Sequence, residues 1–342
     1  MKKIFFTLVA IMSATLSFAQ NTSCANLYHE GNVSTYYGSG ALVSAVAAAV
    51  DGDIVTLSTG SFNGATIDKN ITVRGAGWDK TDAAITSITS PAYFEGIRFS
   101  QTLKPAGSGK LVFMKCYFSQ EVSNANWTDG AMNFYSSHSN YYLTCRSTCK
   151  VACINSIINR VSVWDENTSF NCINCVVVFQ RIGFQYESTN YDYNWYSSEN
   201  SNANNNSYYY STPGKMHYSS FENCILYCLS GYSNYLSSEK IFPSTVIATN
   251  NLSNCAIFQN PDDNMVLDEA FTGVFTNGWA SPLTAEAQAS YTGSDGTQVG
   301  VYGGMLPFTN ITNVPQITSM TVDRKVAVGN TLGVDIKLND AE

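Results

Sequence analysis

Cys153-Ile154-Asn155-Ser156-Ile157-Ile158 is answered 19 residues later by Cys172-Ile173-Asn174-Cys175-Val176-Val177. The same order returns in Phe221-Glu222-Asn223-Cys224-Ile225-Leu226 and in Leu252-Ser253-Asn254-Cys255-Ala256-Ile257: an apolar residue, a variable one, Asn, Cys, then two apolar residues. Phe113-Met114-Lys115-Cys116-Tyr117-Phe118 fits with Lys in the Asn place. Self-similarity at a nearly fixed period is the mark of a stacked-repeat architecture. Within each copy the Cys or Ser and the residue two places on are small or apolar, the period of two of a half-buried strand. The Asn before them tolerates the left-handed backbone and can turn the chain. Each copy therefore reads as strand, sharp Asn turn, strand. A spacing near 20 residues, stretched to 31, 40 and 49 by insertions, is what short strands produce when neighbouring coils stack in parallel on one continuous core.

Working outward, Ala41 to Val50 reads as a short amphipathic helix with Leu42, Val46 and Val50 at helical spacing, followed by Asp51-Gly52-Asp53 and the strand Ile54-Val55-Thr56-Leu57. Beyond Pro315, Ile317 to Val322 and Leu332 to Leu338 alternate as two strands joined near Gly329-Asn330, a terminal hairpin or small cap. At the other end Lys2 and Lys3, an apolar run from Ile4 to Leu16 and Ser17-Phe18-Ala19 compose a secretory signal peptide. Cleavage after Ala19 takes the net charge from −8 to −10 by removing two lysines. No second apolar run approaches the roughly 20 residues of a membrane span. The acidic balance leaves no basic stripe for nucleic acid.

These features together resemble the right-handed parallel β-helix proteins of the pectin-lyase-like superfamily. The likeness runs from about residue 40 to 308. Asn155, Asn174, Asn223 and Asn254 are similar to that family's Asn ladder, and the first helix to its N-terminal plug. Asn70-Ile71-Thr72-Val73-Arg74-Gly75-Ala76-Gly77 resembles the early coils, and Asp295-Gly296-Thr297-Gln298-Val299-Gly300-Val301-Tyr302-Gly303-Gly304 a closing segment of bacterial members. The expected fold is all-β: a right-handed parallel β-helix with an N-terminal helical cap and a short C-terminal strand cap. The division is 1–19 signal peptide, 20–312 β-helix with insertions near 121–143 and 188–218, and 313–342 C-terminal hairpin.

The resemblance implies a substrate groove on the outer face of one sheet. Arg160-Val161-Ser162-Val163-Trp164-Asp165-Glu166 is echoed by Arg181-Ile182-Gly183-Phe184-Gln185-Tyr186-Glu187, displaced by 21. If Val161, Val163, Ile182 and Phe184 point inward, then Arg160, Trp164, Arg181 and Gln185 face outward, with Arg98 on an earlier coil of the same sheet. A guanidinium fork matches a carboxylate in two parallel bonds. The alternative is that Arg160 and Arg181 pair with Asp165, Glu166 or Glu187 and hold adjacent coils. The insertions add aromatics: Trp127 in the first, Tyr191, Trp195 and Tyr209 in the second, among Asn and Ser. Such rings offer flat faces to sugar C–H groups, or pack among themselves as a flap.

Catalytic signals are weak. No Gly-His-Gly loop or cluster of Asp residues is present, so hydrolysis is disfavoured. A lyase acting on uronate-containing glycans would use Arg160 or Arg181, with Asp165 and Glu187 holding calcium. Cys149, Cys153, Cys172 and Cys175 superficially match a four-thiolate zinc site, yet the repeat accounts for three of them as inward ladder positions. Cys145 with Cys149, and Cys224 with Cys228, are the nearest disulfide candidates. The expectation is therefore a secreted or otherwise extracytoplasmic monomer that binds a polysaccharide or cell-surface glycan. A lyase is the alternative, and a structural or adhesive surface protein the second.

Overall fold

The computed structural model describes residues 23–145, 148–163, 168–179, 216–228, 242, 244–254, 257–258, 263–267, 271, 273–277 and 281–309, with the strand backbones 316–322 and 334–339. The signal peptide and the insertion 188–218, up to residue 215, lie outside these residues.

Two long parallel sheets run along the molecule. The first begins with an antiparallel pair, Asn32–Tyr37 and Cys24–His29. It continues through Ile54–Leu57, Thr72–Arg74, Ala92–Glu95, Lys110–Met114, Ala131–Tyr135, Lys150–Ile154, Ser169–Ile173, Ser220–Glu222 and Ile247–Thr249. The second runs from Gly60–Phe62 through Thr81–Ala83, Arg98–Phe99, Tyr117–Phe118, His138–Cys145, Ile157–Val163, Val176–Phe179, Ile225–Cys228 and Leu252–Ser253 to Met265–Val266. Successive strands of the chain alternate between the sheets, which makes a parallel β-helix. Its N-terminal end is closed by helix Ala41–Ala48, whose Ala41, Leu42, Ala45 and Val46 join the core beside Val55 and Ile67. Val50, expected on the buried stripe, is 48% exposed, because the helix ends at Ala48 and the chain extends at Ala49.

The register matches equivalent residues of the copies. Phe94, Phe113, Phe134, Cys153, Cys172 and Phe221 are successive Cα partners in the first sheet. All point inward and are fully buried. Phe94, Phe113 and Phe134 stack at centroid distances of 5.4 and 5.1 Å. Phe99 and Phe118 of the second sheet stack at 4.9 Å and meet them edge-on. Coil spacing near 4.8 Å sets this geometry, so identical side chains on neighbouring coils meet face to face.

Between the sheets each coil turns through one left-handed residue: Lys115, Ser136, Asn155, Asn174, Asn223 and Asn250, with φ between 44° and 54°. Their N–H groups donate to the next coil, as Asn155 N does to Ile173 O and Asn174 N to Glu222 O, both at 3.0 Å. The next residue points into the turn and serves backbone groups that the diverging sheets leave unpaired. Ser137 Oγ accepts from Cys116 N at 3.1 Å and donates toward Tyr135 O and Phe113 O. Ser156 does the same for Ser137 N. Cys224 Sγ accepts from Cys175 N, Asn251 Oδ1 from Cys224 N at 2.8 Å, and Asn264 Oδ1 from Asn251 N at 3.1 Å. The Asn-Cys dipeptide is thus one half of a hydrogen-bonded ladder.

Two expectations about the repeats are corrected. The copy following Cys224 is Ala248-Thr249-Asn250-Asn251-Leu252-Ser253, since Phe221 pairs with Ala248 and Ile225 with Leu252. Asn254 is therefore not the ladder residue; Asn250 carries the positive φ, and Asn251 supplies the inward polar group elsewhere given by Cys or Ser. Second, 121–143 is no insertion. It contains a complete coil in which Ser136-Ser137 takes the Asn-Cys place, with strands Ala131–Tyr135 and His138–Cys145 in both sheets. The strands Gln316–Val322 and Val334–Asn339 pair antiparallel with each other, as their alternation predicts.

Candidate functional site

The outward residues of the second sheet compose a column of Cα partners: Asp82, Arg98, Tyr117, His138, Ile157, Val176, Ile225 and Leu252. From Ile157 onward the column is apolar, and it is buried beneath the chain's own later segment. Ile157, Val176, Val178, Ile225 and Leu252 pack with Phe271, Val274, Leu283, Ala287, Val299 and Val301 in a second core. Ala287 comes from helix Ala285–Ser290, whose first turn is capped by Thr284 Oγ1 accepting from Ala287 N at 3.3 Å. Over these coils the groove expected on this face is filled by protein.

The Asn ladder is what this covering segment grips. Asn155 Nδ2 donates to Val301 O at 3.0 Å and Gly303 O at 2.6 Å. Asn223 accepts from Ser294 N at 2.8 Å, and Asn223 O accepts from Gly300 N at 2.7 Å. Ser294 Oγ in turn donates to Glu222 Oε1 at 2.7 Å. Gly304 has φ +76°, and a Cβ there would collide with Asn174 Nδ2, so only glycine fits.

Nearer the N-terminal end the same column is roofed by aromatics. Trp78 lies 5.9 Å from Tyr117, 6.4 Å from His138 and 5.4 Å from Phe308, by ring centroids. Burial holds the His138 imidazole down at about 4, so it stands neutral at ordinary pH. His138 is a strand residue under this roof rather than a solvated loop residue. The Arg98 guanidinium lies over the Tyr117 ring at 5.0 Å, as its place on the outer face predicts.

Arg160 is partly exposed and lies beside an irregularity in the sheet. Strand His138–Cys145 carries one extra residue against Ile157–Val163: Ser139 pairs with Ile158, but the next pair is Tyr142 with Arg160. Such a bulge bends the strand and re-aims its side chains. The Arg160 guanidinium lies 5.2 Å from the rings of both Tyr141 and Tyr142. Tyr142 is buried, whereas Tyr141 keeps 38% of its surface exposed. Asn159 Nδ2 ties the bulge by donating to Asn140 O at 3.0 Å. A flat guanidinium backed by aromatic rings, with amide groups beside it, suits hydroxyl or carboxylate oxygens next to an apolar C–H surface.

Trp127 belongs elsewhere. It is fully buried, and its indole N–H donates to Gly109 O at 3.1 Å. Strand Asn126–Trp127 pairs with Ala106–Gly107 on a short third sheet, so the ring fills the coil interior and offers no face to a sugar. Trp164, Asp165, Arg181, Gln185, Glu187, Tyr191, Trp195 and Tyr209 lie outside the described residues. Tyr141 and Tyr142 belong to the aromatics of the segment 121–143, but the bulge that brings them to Arg160 is not foreseen from the sequence, although Asn140-Tyr141-Tyr142 does interrupt strict alternation there.

The buried cysteines among the described residues are structural. Cys116, Cys145, Cys149, Cys153, Cys172, Cys175 and Cys224 are buried and carry no disulfide, so neither the Cys145–Cys149 nor the Cys224–Cys228 candidate is formed. Burial pushes the Cys116 thiol up to about 12 and that of Cys149 up to about 11, far from the thiolate that metals and electrophiles need. Among the described residues no group of three or more His, Cys, Asp or Glu side chains is arranged to hold a metal ion, and no helix is long and apolar enough to cross a membrane. The chain matches no family model, no curated protein and no solved structure.

Proposed function

We propose that this chain is an exported β-helix that holds an extended polysaccharide or cell-surface glycan on its rigid outer surface, related in architecture to the pectin-lyase-like proteins. The observation that carries the reading is the bulge-borne cluster of Tyr141, Tyr142 and Arg160. A β-helix coil barely deforms, so a cluster built on it is ordered before a ligand arrives and loses little entropy on binding. Tyr141 supplies an accessible apolar face; the Arg160 fork and the amides of Asn140 and Asn159 supply polar contacts. The lyase reading, with Arg160 or Arg181 near the cleaved sugar and Asp165 and Glu187 on calcium, and the structural or adhesive reading have no observation of their own among the described residues.

The test is retention of the purified protein on a panel of neutral and acidic polysaccharides, with and without calcium, while ultraviolet absorbance is followed for unsaturated products. Retention by one polymer class that weakens in Tyr141→Ala and Arg160→Ala supports the reading. Retention unaltered by both substitutions removes this cluster from the site, and absorbance that depends on Arg160 replaces binding with lysis.

A further inference from the structure

The first sheet ends in a strand whose outer edge pairs with no other strand among the described residues. Asn32–Tyr37 is the edge of that sheet, paired on one side only, with Cys24–His29. Five of its six residues are exposed, Val33 to 55% and Tyr37 to 72%. Edge strands are ordinarily blunted by a bulge, a proline or a lysine. This one has six pairs in unbroken register and contains neither proline nor charge.

The backbone fixes which groups it presents. Gly38 N donates to Ser23 O at 2.7 Å, and Ser58 N donates to Cys24 O at 2.9 Å. Strand Cys24–His29 therefore turns the backbone of Ala25 and Leu27 toward the edge strand, and that of Cys24, Asn26 and Tyr28 toward the sheet interior. Alternation in an antiparallel pair then leaves Val33, Thr35 and Tyr37 with both N–H and C=O pointing out of the sheet. Their side chains share one face, because they are two residues apart.

We propose that this edge pairs antiparallel with the same strand of a second copy, about a two-fold axis through Thr35. In that register Thr35 faces Thr35 of the second copy, and Val33 faces Tyr37 in both directions. Every outward N–H then meets an outward C=O. The side-chain pairs become Thr with Thr and aromatic with β-branched, two combinations that stabilise neighbouring strands. Glu30, the nearest acid, lies beyond the end of the strand at the hairpin turn, and the two-fold axis carries the two Glu30 side chains to opposite ends of the interface. The contact is isologous and closes at two chains. This reading departs from the monomer expected from the sequence, and the glycan surface proposed above would be presented twice.

Sedimentation velocity of the purified protein over a dilution series tests this. The expected result is a twofold change in sedimenting mass between the dilute and concentrated ends. Thr35→Pro removes an outward N–H that the chain's own ladder does not use, together with the exposed bond from Thr35 Oγ1 to Asn26 Oδ1, at a position where an edge strand accepts proline. It should hold the protein at one chain throughout, with an unchanged far-ultraviolet spectrum. Val33→Lys should do the same without altering the backbone. One chain at every concentration overturns the proposal, as does a dimer indifferent to both substitutions. Mass that grows past two chains also overturns it, since pairing would then run head to tail, with the strand Ile247–Thr249 as the other edge of this sheet.

Discussion

Asn155 tests whether the Asn ladder exists to hold the covering segment. Its side-chain amide donates to Val301 O and Gly303 O, while its backbone sits at φ 47°. Three substitutions separate these roles. Asn155→Gly suits the left-handed backbone but loses both bonds, at about 0.5–1.5 kcal/mol each, so a loss of about 1–3 kcal/mol is expected. Asn155→Ala loses the same bonds and adds about 1 kcal/mol of left-handed strain. Asn155→Asp keeps the shape but turns acceptors toward two carbonyls, and should be the worst of the three. A long coil stack need not unfold in one step, so the decisive assay is hydrogen exchange of residues 293–304, with urea midpoints as a second measure. Exchange there should quicken in the order Gly, Ala, Asp, while the Phe94–Phe134 coils remain protected. If Asn155→Gly leaves that segment exchanging at the parental rate, the grip assigned to the ladder is refuted.

Other expectations follow from the same geometry. Phe113→Ala opens a cavity between Phe94 and Phe134, with an expected cost of about 3–5 kcal/mol, seen as a lowered urea midpoint. The depressed His138 value means that the unfolded chain binds a proton that the folded chain refuses. Stability should therefore fall as pH drops from about 6.5 to about 4, by up to about 3 kcal/mol, and His138→Gln should flatten that slope in midpoints measured against pH. His29 has the opposite sign: its hydrogen bond to Asp53 at 2.8 Å raises its value, so its contribution is complete below about 6.5 and is lost as pH rises through the folded value. A His29→Ala variant whose thermal midpoint keeps the parental pH dependence in that range would refute the pairing. Trp127→Phe should lower stability by about 1 kcal/mol through the lost bond to Gly109 and leave glycan retention untouched; weakened retention at unchanged stability would return Trp127 to the surface.

The architecture was legible because a coil stack repeats its constraints. Cys153 lies beside Cys172 in the register that their matching hexapeptides imply, and the Asn before each turn carries the left-handed backbone anticipated for it. The site was less legible. An Arg one place from the inward Val161 faces outward by alternation alone, but the rings that it meets depended on one bulge residue in the neighbouring strand. Trp127 misled because an aromatic in an apparent insertion looks like a surface ring, when the segment was in fact a further coil whose Ser136-Ser137 had lost the Asn-Cys spelling. The Asn250 register was hidden for a related reason. Asn254-Cys255 keeps the letters of the motif, while Asn250-Asn251 keeps its physics: a left-handed residue followed by an inward acceptor.

The sequence by itself determined the period, the inward columns and the turn residues, since each is a local consequence of strand alternation and backbone sterics repeated coil after coil. It even held a sign of the cover, in that Ile157-Ile158, Val176-Val177 and Ile225-Leu226 are apolar on both faces of the strand, as doubly buried strands are. What it could not say is which segment supplies the second layer. That residues 271, 273–277 and 281–308 fold back onto this face, held by Asn155 and Asn223 from more than 70 residues away, was decided only by tertiary structure. Alternation reports whether a face is apolar, and the partner that buries it is a property of the whole chain.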